Sequence, residues 1–228
     1  MRYALKTITP PTTYPVDRDD IFNMVKLDSS NPALIREAVF IEDLIASATA
    51  MIEDYCGRAF LTQTLELTLI PDIKGFFNVG NQKYLYETLP QIIKLWRPPC
   101  QSVTSFTVID QAGTSHLQPA GRYATNTSME PAEIQLMYGA VWEYYIRGYY
   151  VIRYIAGYGD TIDTIPPQIR NAIRLTVAQW YASRENLDYT IPVQAVDLLS
   201  HSNLRIEASD LGGDDIPFEA SDILGGPL

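Results

Sequence analysis

Residues 31–64 read NPALIREAVFIEDLIASATAMIEDYCGRAFLTQT, and within this stretch the apolar period changes from helical to β. Asn31 is a capping residue type and Pro32 follows at the first helical position, where a missing N–H costs nothing, so a helix is expected to begin there. Leu34, Ala38, Ile41, Ile45, Ala48, Ile52 and Tyr55 then recur at alternating steps of four and three, one apolar stripe about six turns long. Gly57 supplies the residue that commonly ends a helix. From Leu61 onward the stripe disappears and Thr, Tyr, Val and Ile alternate between turn residues, a period of two.

Working outward from this junction, strands are expected at 64–70, 83–89, 91–96, 103–109, 133–138 and 149–155. Asp110-Gln111-Ala112-Gly113 suits a hairpin, Arg97-Pro98-Pro99 breaks the sheet, and Gly157-Tyr158-Gly159-Asp160 closes the last strand. Helix returns after Pro166-Pro167, where Ile169, Ile173, Val177 and Trp180 share a face, and is expected to end near Arg184-Glu185. A shorter element over 192–200 would pack Val193, Val196 and Leu199. On the N-terminal side, Asp17, Asp19 and Asp20 favour a helix start, and Ile21, Phe22, Met24, Val25 and Leu27 offer it an apolar face.

The fold class read from this order is α+β: a helical core, the long N-terminal helix packed with the C-terminal helices, carrying an inserted antiparallel β region. The divisions are an extended arm (1–16), the first part of the helical core (17–60), a β-rich insert (61–160), the second part of the core (161–205) and an acidic flexible tail (206–228). Pro10, Pro11 and Pro15 among threonines favour an extended arm over a packed element. The tail has no basic residue beyond Arg205, but Leu211, Ile216, Phe218, Ile223 and Leu224 could anchor it on a partner.

Composition narrows function mainly by exclusion. A net charge of -10 disfavours gripping nucleic acid, which needs clustered Lys and Arg to displace counterions, yet an acidic wall lets a duplex slide past without sticking. Cys56 and Cys100 alone cannot build a disulfide framework or a four-cysteine metal site, which fits a reducing compartment. The first fifteen residues lack the apolar core of a signal peptide and no stretch is long and apolar enough to span a bilayer, so a soluble protein made in the cytoplasm is expected.

Catalytic chemistry finds little to work with. His116 and His201 sit in no recognisable nucleophile or metal arrangement, and no phosphate-cradling glycine loop, G-x-S-x-G, H-E-x-x-H or C-x-x-C occurs. Gly157-Tyr158-Gly159 lacks the third glycine and the strand-turn-helix setting of a nucleotide loop and reads as a tight turn. Asp160 and Asp163 offer too few ligands for calcium. Glu42-Asp43 and Glu53-Asp54 are adjacent on a helix and diverge by about 100 degrees, so neither pair can share a substrate proton. No enzymatic activity, cofactor or catalytic residue is expected. Trp142, Tyr144, Tyr145, Tyr149 and Tyr150 read as a contact surface between subunits, with a base or sugar platform as the lesser alternative.

Four stretches in a fixed order resemble the head-tail connector, or adaptor, proteins of long-tailed phages and gene transfer agents. They are the junction Ile52 to Thr64, the segment Arg97-Pro98-Pro99 with Val103 to Phe106, Tyr154 to Gly159 followed by Ile165-Pro166, and the helix Ile169 to Glu185 with Trp180-Tyr181. Together they span roughly residues 20 to 205, leaving the proline-rich arm and the acidic tail outside the resemblance. The resemblance implies a structural virion protein at the head-tail interface: a twelve-fold ring of this chain beneath the portal protein, with double-stranded DNA passing through it and a stopper or tail-terminator protein on the tail side. Docking on the portal is expected through the tail anchors Leu211, Ile216, Phe218, Ile223 and Leu224. The alternative from another class is a receptor- or glycan-binding virion protein using the β insert and Trp142.

Overall fold

The structure is a computed structural model and describes residues 2–27, 35–71, 73–79, 82–87, 89–142, 148–184, 189–201 and 204. Two compact units divide the described chain. One is β-rich and includes Met1–Pro10 and Gln63–Gly157; the other is helical and includes Pro11–Thr62 and Tyr158–Glu207.

The helical unit holds α1 (Arg18–Met24), α2 (Ile35–Cys56), α3 (Pro167–Ala182) and α4 (Val193–His201). Asp17 caps α1, its carboxylate accepting the Asp19 N–H at 2.9 Å. Ile41, Ile45, Ala48, Ile52 and Tyr55 of the expected α2 stripe are buried, joined by Leu44 and Cys56 on its flank. Leu34, and the expected start at Pro32, lie outside the described residues. These side chains pack with Ile169, Ala172, Ile173, Val177 and Trp180 of α3 in one core. Each fully buried aliphatic side chain contributes about 2 kcal/mol over its exposed counterpart, so the stripe is what holds α2 in place.

Polar contacts align the helices around that core. Arg174 of α3 pairs with Asp20 of α1, Arg18 of α1 with Glu42 of α2 at 2.9 Å, and the Tyr181 hydroxyl donates to Glu37 at 3.1 Å. In α4 the burial differs from expectation: Val193 is 71% exposed, while Ala195 and Leu199 are buried and Val196 partly so. Ala195 and Leu199, four residues apart, share the buried face, and Val193 lies off it.

The end of α2 shows why helix gives way to strand. Gly57, at φ 63, donates its N–H to Asp54 O, and Arg58 donates to Glu53 O, a paired closure of the last turn that needs a left-handed residue at Gly57. The Glu53 carboxylate turns forward and accepts the Phe60 N–H at 2.7 Å. Phe60 and Leu61 are thereby buried, and the chain leaves in extended form toward the first long strand of the β region.

The β-rich unit contains β1 (Arg2–Thr9), β2 (Gln63–Ile70), β3 (Ile73–Val79), β4 (Gln82–Glu87), β5 (Ile92–Lys94), β6 (Cys100–Ile109), β7 (Ser115–Leu117), β8 (Tyr123–Asn126), β9 (Glu133–Leu136) and β10 (Tyr149–Ala156). The main sheet runs β1-β2-β10-β6-β7, a smaller one runs β5-β9-β8, and β3 pairs with β4. All pairings are antiparallel.

Alternation does the work here. Leu65, Leu67 and Leu69 of β2 stand opposite Tyr154, Ile152 and Tyr150 of β10, and Phe106 and Val108 of β6 continue the same buried face. Four strands were not anticipated: β1, β3, β7 and β8. The expected extended arm is in part β1, with Tyr3 and Leu5 half-buried on the sheet and Tyr3 against the Trp96 ring at 5.4 Å. Backbone pairing to β2 supplies what its weak apolar pattern does not.

Candidate functional site

The sequence offered histidines, carboxylate pairs, a glycine turn, an aromatic set and tail anchors as places for function, and the described residues locate part of them. His116 is tied into the β6–β7 hairpin. Its Nε2 lies 2.8 Å from Asp110 Oδ2, while Asp110 Oδ1 accepts the N–H groups of Ala112 and Thr114 at 2.9 and 2.8 Å. The hydrogen bond with His116, together with those from the backbone, holds the Asp110 carboxyl below the usual carboxylate range. This is turn architecture: both side chains are spent on closing the hairpin.

The carboxylate pairs are also engaged structurally. Glu42 holds Arg18 and Glu53 accepts the Phe60 N–H. Asp163 lies 3.9 Å from Arg170. Among the described residues no group of three His, Cys, Asp or Glu side chains converges as a metal site. The Gly157-Tyr158-Gly159 turn is a junction: Tyr158 donates its N–H to Phe60 O, and Thr62 donates its N–H to Gly159 O. A Cβ on Gly159 would sit 2.7 Å from the Thr164 methyl carbon, which accounts for glycine there.

The aromatic set separates in space. Trp142 is buried, its Nε1 donating to Pro90 O at 2.9 Å, and its ring lies 5.3 Å from Phe106 and 6.3 Å from Tyr123. Tyr150 is buried too, its ring 6.1 Å from Phe106. Phe106 is thus the hub where the two sheets meet, a role that its position in the period-two run Val103 to Ile109 made discoverable. Tyr149 faces the opposite side of β10 and is partly solvent-exposed. Tyr144 and Tyr145 lie outside the described residues, as do all five tail anchors, Leu211, Ile216, Phe218, Ile223 and Leu224.

Exposed apolar side chains occur elsewhere on the same unit. β9 ends at Leu136, two residues short of the expected Tyr138, and the chain turns with the Ala140 N–H donating to Met137 O. Arg122 brackets this turn: its carbonyl accepts the Met137 N–H at 2.9 Å, and its guanidinium donates to Val141 O at 3.4 Å. Met137, Tyr138 and Val141 are exposed on it. A cluster of this kind marks a contact surface more often than a catalytic one.

One more feature escaped sequence reading. Arg58, only 4% exposed, donates from Nε to Leu204 O and from a guanidinium nitrogen to the Tyr158 hydroxyl at 3.1 Å. The carbonyl that precedes the acidic tail is therefore held by a buried cation from the α2 junction. Its only sequence signal was an arginine placed inside an apolar run, Cys56 to Leu61.

No family model matches the chain, and no curated protein matches it in sequence. Among solved structures it is similar over nearly its whole length to a chain from the neck of an empty gene transfer agent particle, computed with C6 symmetry. That match has a TM-score of 0.71 and 19% identity, covering 92% of this chain and 98% of the other. A chain from the virion of a native gene transfer agent particle matches with a TM-score of 0.69 and 20% identity over 92% and 98% of the two chains. A chain from the neck of a native particle, computed with C12 symmetry, matches with a TM-score of 0.62 and 20% identity over 93% and 99%. At these identities the likeness defines the fold that is shared.

Proposed function

We propose that the chain is a structural subunit of the neck of a phage-like or gene transfer agent particle, an adaptor that forms a ring beneath the portal and joins it to the tail. The observation that carries this reading is the end-to-end likeness to neck chains, covering 92% of this chain and 98% of the first neck chain. Both units take part in a match of that extent, so it is not a shared helix pair or a shared sheet.

In this reading the ring has twelve copies, the symmetry of one of the matching necks. Subunit contacts run through exposed side chains of the β-rich unit, Tyr149 together with Met137, Tyr138 and Val141. Trp142 and Tyr150 contribute by holding the two sheets together. The acidic tail docks on the portal through Leu211, Ile216, Phe218, Ile223 and Leu224, beginning from the carbonyl that Arg58 holds. Double-stranded DNA passes through without sequence readout, in keeping with a net charge of -10. A stopper or tail-terminator protein binds the opposite face. The role is binding, not catalysis: of the residues first considered for chemistry, His116, Glu42 and Glu53 are committed to structural contacts.

Removing this chain from particle production tests the reading. DNA-filled heads and separate, finished tails that fail to join are expected. Complete tailed particles made without it would overturn the assignment.

A further inference from the structure

We propose that β1 is exchanged between neighbouring copies, so that Arg2–Thr9 of one subunit completes the sheet of the next by pairing with its β2. This inference rests on the ring reading above. Its first support is how β1 is held. It is an edge strand of the main sheet, paired along one side to β2 from Arg2↔Ile70 to Thr9↔Thr64. Its side chains are otherwise exposed except for Tyr3 and Leu5, which are half-buried. Backbone pairing of this kind is offered identically by β2 of a second copy, so exchange conserves every contact that β1 makes.

The second support is connectivity. β7, at the other edge of the sheet, is bound to β6 of its own chain by the tight turn Asp110 to Gly113. β1 has no such tether. Between Thr9 and Gln63 the chain passes through α1 and α2 of the helical unit, so no turn compels β1 and β2 to come from one molecule.

The third support is the connector itself. Residues 10–17 read PPTTYPVD, with prolines at 10, 11 and 15. The connector bends at Thr12-Thr13 and again at Pro15-Val16, and Val16 is buried in the helical core, so the exposed stretch that leads to β1 is short, residues 10–14. A short hinge of this kind is where strand exchange is favoured: Val16 stays in the helical core of its own chain, and only residues 10–14 need change path for β1 to reach a neighbour. A head-to-tail exchange of one strand closes naturally in a cyclic ring.

The test uses full-length protein assembled on portal from an equal mixture of isotopically light and heavy chains. Lys6 and Glu66 are register neighbours across β1 and β2, so a zero-length carbodiimide coupling joins them wherever the strands meet. Exchange predicts light-heavy Lys6-Glu66 peptide pairs as abundant as like-isotope pairs. Intact rings that yield only light-light and heavy-heavy pairs would overturn exchange and leave the neck reading standing. If no ring forms in this mixture, the neck reading fails and exchange fails with it.

A second arm uses cysteines at another register pair, Ala4→Cys with Thr68→Cys in one chain, oxidised after assembly. A ladder of covalent multimers on a denaturing, non-reducing gel supports exchange. A monomer band alone, from rings whose thiols are oxidised, contradicts it.

Discussion

Arg58 and Leu204 are joined across 146 residues of chain by a hydrogen bond from the guanidinium Nε to the leucine carbonyl. The donor is charged and buried, so losing it leaves the partly buried Leu204 carbonyl and Tyr158 hydroxyl without that partner. Arg58→Ala is expected to destabilise the helical unit by about 2 kcal/mol in urea unfolding, with Arg58→Lys recovering part of the loss. A stability unchanged by Arg58→Ala would remove the anchor from the account.

The α2 stripe makes a sharper contrast. Ile52 is fully buried and Val39, on the same helix, is 55% exposed. Ile52→Ala should cost about 3 kcal/mol, the transfer term plus the cavity, whereas Val39→Ala should stay within about 0.5 kcal/mol. Equal costs in chemical unfolding would mean that the buried face is misassigned.

Alkaline pH should weaken the β-rich unit. Burial pushes the Cys100 thiol from 9.0 up to about 11, a backbone hydrogen bond with Ser102 opposing it in part. Because the folded value is the higher one, this stabilising contribution is complete below pH 9.0 and is lost as pH rises through about 11. Tyr154, fully buried with its hydroxyl donating to Trp96 O, is shifted upward as well. Unfolding midpoints should fall across that window, and less steeply in Cys100→Ala. The native thiol should also alkylate more slowly at pH 8 than the same thiol in urea, since the thiolate is the reactive form.

Removal of residues 206–228 separates folding from docking. The truncated chain should keep the circular dichroism and unfolding midpoint of the full chain while losing association with the portal. Retained portal association in a pull-down would exclude Leu211, Ile216, Phe218, Ile223 and Leu224 as the docking anchors.

The parts of the fold that were legible in advance are those whose signal is local. Ile169, Ile173, Val177 and Trp180 repeat at helical spacing and are all buried, and the Leu65, Leu67, Leu69 alternation matches the buried face of β2. β1 was not legible because its partner strand begins more than fifty residues later, and a Thr- and Pro-rich flank reads as an arm until that pairing is known. β7 and β8 are three and four residues long, too short for a period to register. The aromatic set was grouped by proximity in sequence, although strand alternation itself places Tyr149 and Tyr150 on opposite faces of β10. Arg58 carried a different message: a charge inside an apolar run marks a buried partner, and only the fold identifies that partner as Leu204 O.

The central claim is that this chain closes into a ring on a portal. The direct measurement is the mass, by native mass spectrometry with particle imaging, of purified full-length chain mixed with its portal protein. The account predicts a single complex carrying a closed ring of twelve copies of this chain on one face of the portal. Portal of unchanged mass, with this chain free in solution, would contradict it.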